Sequence, residues 1–313
     1  MPSATILPSL PIGGPIGPCL AVGLAATVGL AILAACWRLV RETTLRSAWG
    51  WALASWIGWA VCALLRICWN RAAPTWLPPL EVGAVALSLC PAVSVFGSKR
   101  PQHLAWNFVV ASLWGVLALP AAESIVLRPG QPLVLGDARG IFLLVLVLLG
   151  AVAYLPTRFG LAAILLAVGQ AIAVAPYAPL RGFSFGAEGS AAGLAWASAA
   201  LGVAWVSARW RRPAAHPLDR AWLDFRDMYG LLWGLRVMER LNATASQLGW
   251  DVELRWSGFR DRQSGQPLGE LPEAQRQALR QALAGLLRRF VSPTWLAQRL
   301  EGEATSPARQ AVS

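Results

Sequence analysis

The sequence predicts an all-α integral membrane protein. It has seven transmembrane helices with the amino terminus outside and the carboxyl terminus inside, followed by a small, mainly helical cytoplasmic domain with one short strand or hairpin. Three observations predict this. Of 313 residues, 56% are hydrophobic and 14% charged, against roughly 25% charged in soluble domains, and the mean hydropathy is +0.50. The charge is uneven: residues 1–208 hold 11 Lys+Arg and 5 Asp+Glu, residues 209–313 hold 16 and 11. Seven apolar runs each reach the length of about 20 residues that a helix needs to cross the hydrocarbon layer.

Those runs are 18–37, 48–67, 76–96, 104–127, 138–155, 159–178 and 189–208. In lipid each backbone amide must be bonded within its own segment, so uninterrupted runs read as helices. The chain thus divides into a flexible extracytoplasmic segment 1–17, a seven-helix domain 18–208, a cytoplasmic amphipathic helical domain 209–302 and a disordered tail 303–313. Short cytoplasmic loops collect Lys and Arg. With the amino terminus outside, the inner loops hold nine basic residues, Arg38, Arg41, Arg46, Lys99, Arg100, Arg158, Arg209, Arg211 and Arg212. The outer connections hold five, Arg66, Arg71, Arg128, Arg139 and Arg181. The balance predicts a multi-pass protein of the bacterial inner (plasma) membrane with a cytoplasmic carboxyl terminus.

The first span carries Leu33-Ala34-Ala35-Cys36, which matches a lipobox, but Met1 to Ala35 contains no charge and a signal peptide wants a positive start. In the second span Trp49 and Trp56, seven apart, share a face suited to packing or an aromatic belt. Cys90-Pro91 lies inside the third span and predicts a kink. Gly97-Ser98 is expected to stop that helix in a left-handed conformation. Lys99 and Arg100 then face the cytoplasm, Pro101 opens the fourth helix and His103 sits at its start. Asn107 and Gln170 suit interhelical hydrogen bonds.

Ionisable groups at membrane depth are costly and therefore informative. Glu81 lies five residues inside the outer start of the third span and Glu123 five residues inside the outer end of the fourth. Both carboxylates reach one level, about 7 Å below the helix ends at 1.5 Å per residue, and Arg66 joins that layer. Glu81, Glu123 and Arg66 are the candidate polar pocket. Snorkelling or simple ion pairing is the competing explanation.

In the last third, Trp222, Phe225, Met228, Tyr229, Leu232 and Trp233 occupy one arc of a helix, and Asp219, Arg220, Asp224, Arg226 and Asp227 the other, the pattern of an amphipathic helix. Trp222, Phe225, Tyr229, Leu232 and Trp233 are the candidate partner or membrane-surface face, unless the helix packs within the tail. The aspartates read as a solvated face compensated by the interleaved arginines. Beyond Gly234, Arg236, Glu239 and Arg240 rotate onto the apolar arc, so the helix is expected to bend or change partners near Gly230 to Gly234. Asp251 to Trp256 alternates as a half-buried strand, residues 272–290 form a helix with a leucine stripe, and Ser292-Pro293 restarts a short one.

No glycine loop for phosphate, kinase signature, nucleophile elbow or metal-ligand cluster occurs. The five cysteines form no CxxC pair, and neither a metal nor a cofactor is expected. The net charge of +11 flanks apolar spans or alternates with acids, so no nucleic acid is expected. The partners expected are the lipid bilayer and a cytoplasmic or membrane protein. The function expected is an interaction, assembly or signal-coupling role through the tail. The alternative is a transporter or permease subunit with a polar outer-leaflet site, and an enzyme comes third.

Overall fold

The computed structural model describes residues 16–69, 74–131, 133, 135–177, 189–210, 216–269 and 271–300. Seven apolar helices come first: α1 (Ile16–Val40), α2 (Arg46–Trp69), α3 (Leu77–Phe96), α4 (Trp106–Val126), α5 (Asp137–Tyr154), α6 (Gly160–Val174) and α7 (Gly189–Arg209). They are followed by α8 (Pro217–Gln247), the strands β1 (Val252–Arg255) and β2 (Gly258–Asp261), α9 (Glu273–Leu287) and α10 (Pro293–Leu300). Segments 1–15 and 301–313, to which the sequence assigns flexible ends, lie outside the described residues, as do Arg71, Arg181, Arg211 and Arg212.

Six of the seven apolar helices are long and apolar enough to cross a membrane, and α6, with 15 residues, is shorter. Its helical bonds stop at Val174, with Ala175 as cap and Pro176 following. Proline supplies no amide and disfavours helical backbone in the residue before it. The fourth helix also starts later than expected. Residues 100–105 are turns and α4 opens at Trp106, so Pro101 and His103 lie in the loop. Gly97 ends α3 at φ −96°, not in the left-handed region. It is glycine for room, because a Cβ there would overlap the Trp106 ring, whose Nε1 donates to the Val93 carbonyl at 2.9 Å.

The tryptophan face of α2 is a lock on α1. Trp49 Nε1 donates to the Leu33 carbonyl at 2.8 Å and Trp56 Nε1 to the Ala26 carbonyl at 3.0 Å, a seven-residue spacing on both helices. Asn107 and Gln170 bond between helices, Asn107 Oδ1 accepting from Trp51 Nε1 at 3.3 Å and Gln170 Nε2 donating to the Ser88 carbonyl at 3.0 Å.

The tail is built on α8. His216 caps its start, Nδ1 accepting from the Leu218 amide at 3.2 Å, and Pro217 takes the first helical position, where no donor is needed. The helix breaks at Gly230, φ 73° and ψ −167°, inside the predicted window. A Cβ there would stand 2.6 Å from the Ala153 carbonyl oxygen. The antiparallel hairpin β1–β2 pairs Val252 with Asp261 and Arg255 with Gly258. Asn242 on α8 brackets β1, accepting from the Leu254 amide at 2.7 Å and donating to its carbonyl at 2.9 Å. Ser292 caps α10 as predicted, its Oγ accepting from the Trp295 amide at 3.1 Å.

The tail and the helical bundle are joined by one hydrophobic core. Leu45, Ala48 and Val95 of the bundle belong to the same buried cluster as Trp222, Phe225, Phe290 and Leu296 of the tail. Backbone bonds stitch the two together. The Thr44 amide donates to the Phe290 carbonyl at 2.9 Å, the Ser292 amide to the Glu42 carbonyl at 2.8 Å and the Arg100 amide to the Arg289 carbonyl at 2.9 Å. Trp256 Nε1 donates to the Pro156 carbonyl at 2.8 Å. The α1–α2, α3–α4 and α5–α6 connections therefore all lie at the end of the bundle that carries the tail.

Candidate functional site

Arg66, in the last turn of α2, and Glu81, near the start of α3, face one another because the two helices pack as antiparallel neighbours. The guanidinium grips the carboxylate with two nitrogens. Nε donates to Oε1 at 2.9 Å and Nη2 to Oε2, the fork-to-fork geometry that gives arginine–carboxylate pairs their directionality. The Tyr177 hydroxyl, just beyond α6, donates to the same Oε2. The Glu81 side chain is 4% exposed and that of Arg66 21%, so the pair is largely removed from solvent. A charge in that setting persists only when paired and hydrogen-bonded.

Beside the pair lies a cavity of about 170 Å³, bounded by Trp59, Cys62, Pro78 and Val85 below and beside it and by Ala173 and Pro176 from the α6 end. The space is large enough for several waters or a small polar ligand. Glu123, the third residue the sequence places in this layer, is half-buried on α4. It does not line the cavity, and its side chain makes no bond to Arg66 or Glu81 among the described residues. The sequence reading missed Tyr177. The available signal was that the chain has only three tyrosines, two of them, Tyr154 and Tyr177, at the ends of apolar helices, where each buried phenol needs a partner.

The second predicted face is used internally: of the two alternatives for this helix, it packs within the tail and does not lie on a membrane surface or wait for a partner. Trp222 and Phe225 are fully buried, Tyr229 is 1% exposed and Trp233 7%, covered by the hairpin, α9 and α10. Phe225 stacks on Tyr229 at 4.7 Å, and Phe290 packs edge-on against Tyr229 at 5.2 Å and Trp233 at 4.9 Å. Trp233 Nε1 donates to the Val95 carbonyl at 2.9 Å. Leu232 alone of the five stays outside, with Leu235 near it. An amphipathic arc reports only that it will be covered, and the chain supplies its own cover.

The opposite arc is only partly solvated, with Arg220 exposed, Asp219 and Asp224 half-buried and Arg226 and Asp227 buried. Asp227 is 3% exposed. It accepts from Arg226 Nε at 2.9 Å and Nη2 at 2.6 Å, and Arg158 of the α5–α6 loop lies 3.3 Å from its other oxygen. Asp224 accepts from Arg299 of α10 at 2.8 Å. Asp219 accepts from the Phe259 amide at 2.7 Å, and burial raises its carboxyl above the ordinary aspartate range despite that bond. These aspartates tie α8 to the hairpin, to α10 and to the loop under α5. Among the described residues there is no cluster of metal-ligating side chains.

The fold and composition define a multi-pass, membrane-embedded helical protein with a small tail domain seated on one end. Comparison with family models, curated proteins and solved structures gives no match.

Proposed function

We propose that the protein is a coupling subunit of the inner membrane, with the amino terminus outside, whose tail presents the state of the helical bundle to a cytoplasmic or membrane protein partner. The observation that carries this reading is the shared core. Leu45, Ala48 and Val95 of the bundle and residues of α8, α9 and α10 bury one another, so a rearrangement of the helices cannot leave the tail unmoved. The partner face is the outer side of the tail, where Leu232, Leu235 and Leu248 are exposed. Proximity labelling from the carboxyl terminus in living cells tests it. The expected result is a dominant protein neighbour whose labelling falls at least tenfold in Tyr229→Ala, which unseats the tail. Labelling confined to lipid-facing background overturns the reading.

A second reading, a transporter or permease subunit, is favoured by the cavity beside Arg66, Glu81 and Tyr177. Growth or uptake phenotypes specific to Glu81→Gln at unchanged protein level support it over coupling.

A further inference from the structure

The bundle holds a second, partly open cavity of about 370 Å³, walled by α1, α2, α3, α5, α6 and α7. It exists because the facing positions are small: Ala52, Ala92, Gly150, Ala163, Ala167 and Ala200 leave the centre unfilled. Protein interiors hold few voids larger than a water molecule, and every atom lining an empty one forfeits its dispersion contacts. The volume falls instead in the range of ligand sites, about 300 to 1,000 Å³. In a membrane the filler at hand is hydrocarbon.

Besides Tyr154 and three tryptophans, the wall carries three polar side chains. Ser55 and Ser88 return their hydroxyls to carbonyls of their own helices, at 2.9 Å to Ala52 and 2.7 Å to Val85. Gln170, 5% exposed, gives its amide nitrogen to the Ser88 carbonyl at 3.0 Å and hydroxyl at 3.1 Å. Its Oε1 accepts no hydrogen bond among the described residues. An acceptor on this apolar wall with no protein donor is satisfied by what fills the cavity, so the occupant that completes this site is apolar along its length and carries one O–H or N–H.

We infer that this cavity binds the hydrocarbon chain of a membrane amphiphile whose hydroxyl donates to Gln170 Oε1. The cavity floor is the tail junction. Leu45, Ala48 and Val95 line it and also belong to the tail core, and the Tyr154 hydroxyl, at its rim, donates to the Met228 carbonyl at 3.2 Å. Resting on the coupling reading above, an occupied cavity holds these floor residues in place and keeps the tail seated.

The test uses the full-length protein in nanodiscs with photoreactive diazirine hexadecanol and its methyl ether, which lacks the donor. The expected result is crosslinking to α3 and α6 peptides, about tenfold stronger for the alcohol, a preference one hydrogen bond can supply. Gln170→Leu equalises the two probes, and Ala167→Phe, which fills the void, abolishes both. Equal labelling of wild type by alcohol and ether overturns the donor assignment, and labelling that survives Ala167→Phe overturns the cavity. Because Ala167→Phe can disturb packing, Ala200→Phe is run beside it, and retained thermal unfolding qualifies either variant. Protease resistance of the tail with and without the alcohol reads the coupling separately: unchanged resistance in crosslinked protein overturns the coupling and leaves the site standing.

Discussion

The hydroxyl of Tyr229 donates to the carbonyl oxygen of Phe290 at 2.7 Å, 61 residues further along the chain. The same hydroxyl lies 3.1 Å from Thr44 Oγ1 in the α1–α2 loop, and burial pushes its phenol up to about 12. Tyr229 is thus the point where α8, the turn before α10 and the bundle meet. Tyr229→Phe removes one bond and is expected to cost about 1 kcal/mol. Tyr229→Ala opens a void and is expected to cost about 3 to 5 kcal/mol, with the tail becoming protease-sensitive. Thermal unfolding and limited proteolysis in detergent check both.

Gly230 should resist substitution. Ala normally gains about 1 kcal/mol over Gly in a helix, but here the backbone conformation is open only to glycine, at a cost of roughly 1 to 3 kcal/mol for other residues. The added Cβ also strikes the Ala153 carbonyl. Gly230→Ala is therefore expected to lower the melting temperature. An increase would show that the break in α8 is dispensable.

Arg66 and Glu81 form a coupled unit. Arg66→Met removes the guanidinium from the buried Glu81 carboxylate, an expected loss of about 3 kcal/mol, and Glu81→Gln leaves a half-buried guanidinium, an expected smaller loss of about 1 to 2 kcal/mol. The double variant is expected to cost less than the sum, with a coupling energy of about 2 kcal/mol. A double-mutant cycle on unfolding free energy measures it, and additivity would mean that the pair contributes nothing as a pair.

Asp219 gives a signed pH effect. Its folded carboxyl titrates above the ordinary aspartate range because burial disfavours the ionised form. The stabilisation from the protonated state is present below the unfolded value and is lost as pH rises through the folded one. Asp219→Asn keeps an oxygen to accept from Phe259 and never ionises. It is expected to match wild type at acidic pH and to exceed it in stability at neutral pH, read as denaturation midpoints across pH.

Orientation is tested by thiol labelling. Cys68 is exposed at the end of α2 away from the tail, and Gln263 is exposed in the turn after β2. With Cys68 as sole cysteine, an impermeant maleimide applied to intact cells is expected to label it. In a cysteine-free background, Gln263→Cys is expected to react only after lysis. The reverse pattern would invert the threading.

The apolar helices were legible because lipid demands long unbroken hydrophobic runs, and a run needs no knowledge of its neighbours. The break near Gly230 and the cap at Ser292 were legible for the same local reason. What decides the site is not local. Nothing in the sequence near Asp227 announces that Arg158, on a loop 69 residues away, will reach it, so charge alternation along α8 read as solvation. The aromatic arc of α8 looks the same whether a membrane, a partner or the chain's own hairpin covers it. Glu81 and Arg66 were found because charge at depth is rare. Glu123 shares their expected level but sits on a helix that does not line their cavity, a matter of rotation around the bundle that spacing along one helix cannot give.

Residues 289–292 close against Glu42, Thr43, Thr44 and Arg100, and synthesis delivers them after every helix of the bundle. While the ribosome is still making α9, the loops at that end of the bundle have no cover and Leu45 and Val95 meet water. Assembly of this junction must wait until residues 289–292 have left the ribosome. A premature stop anywhere before α10 is then expected to leave inserted helices with a greasy, unfinished underside, the kind of surface that membrane quality control degrades.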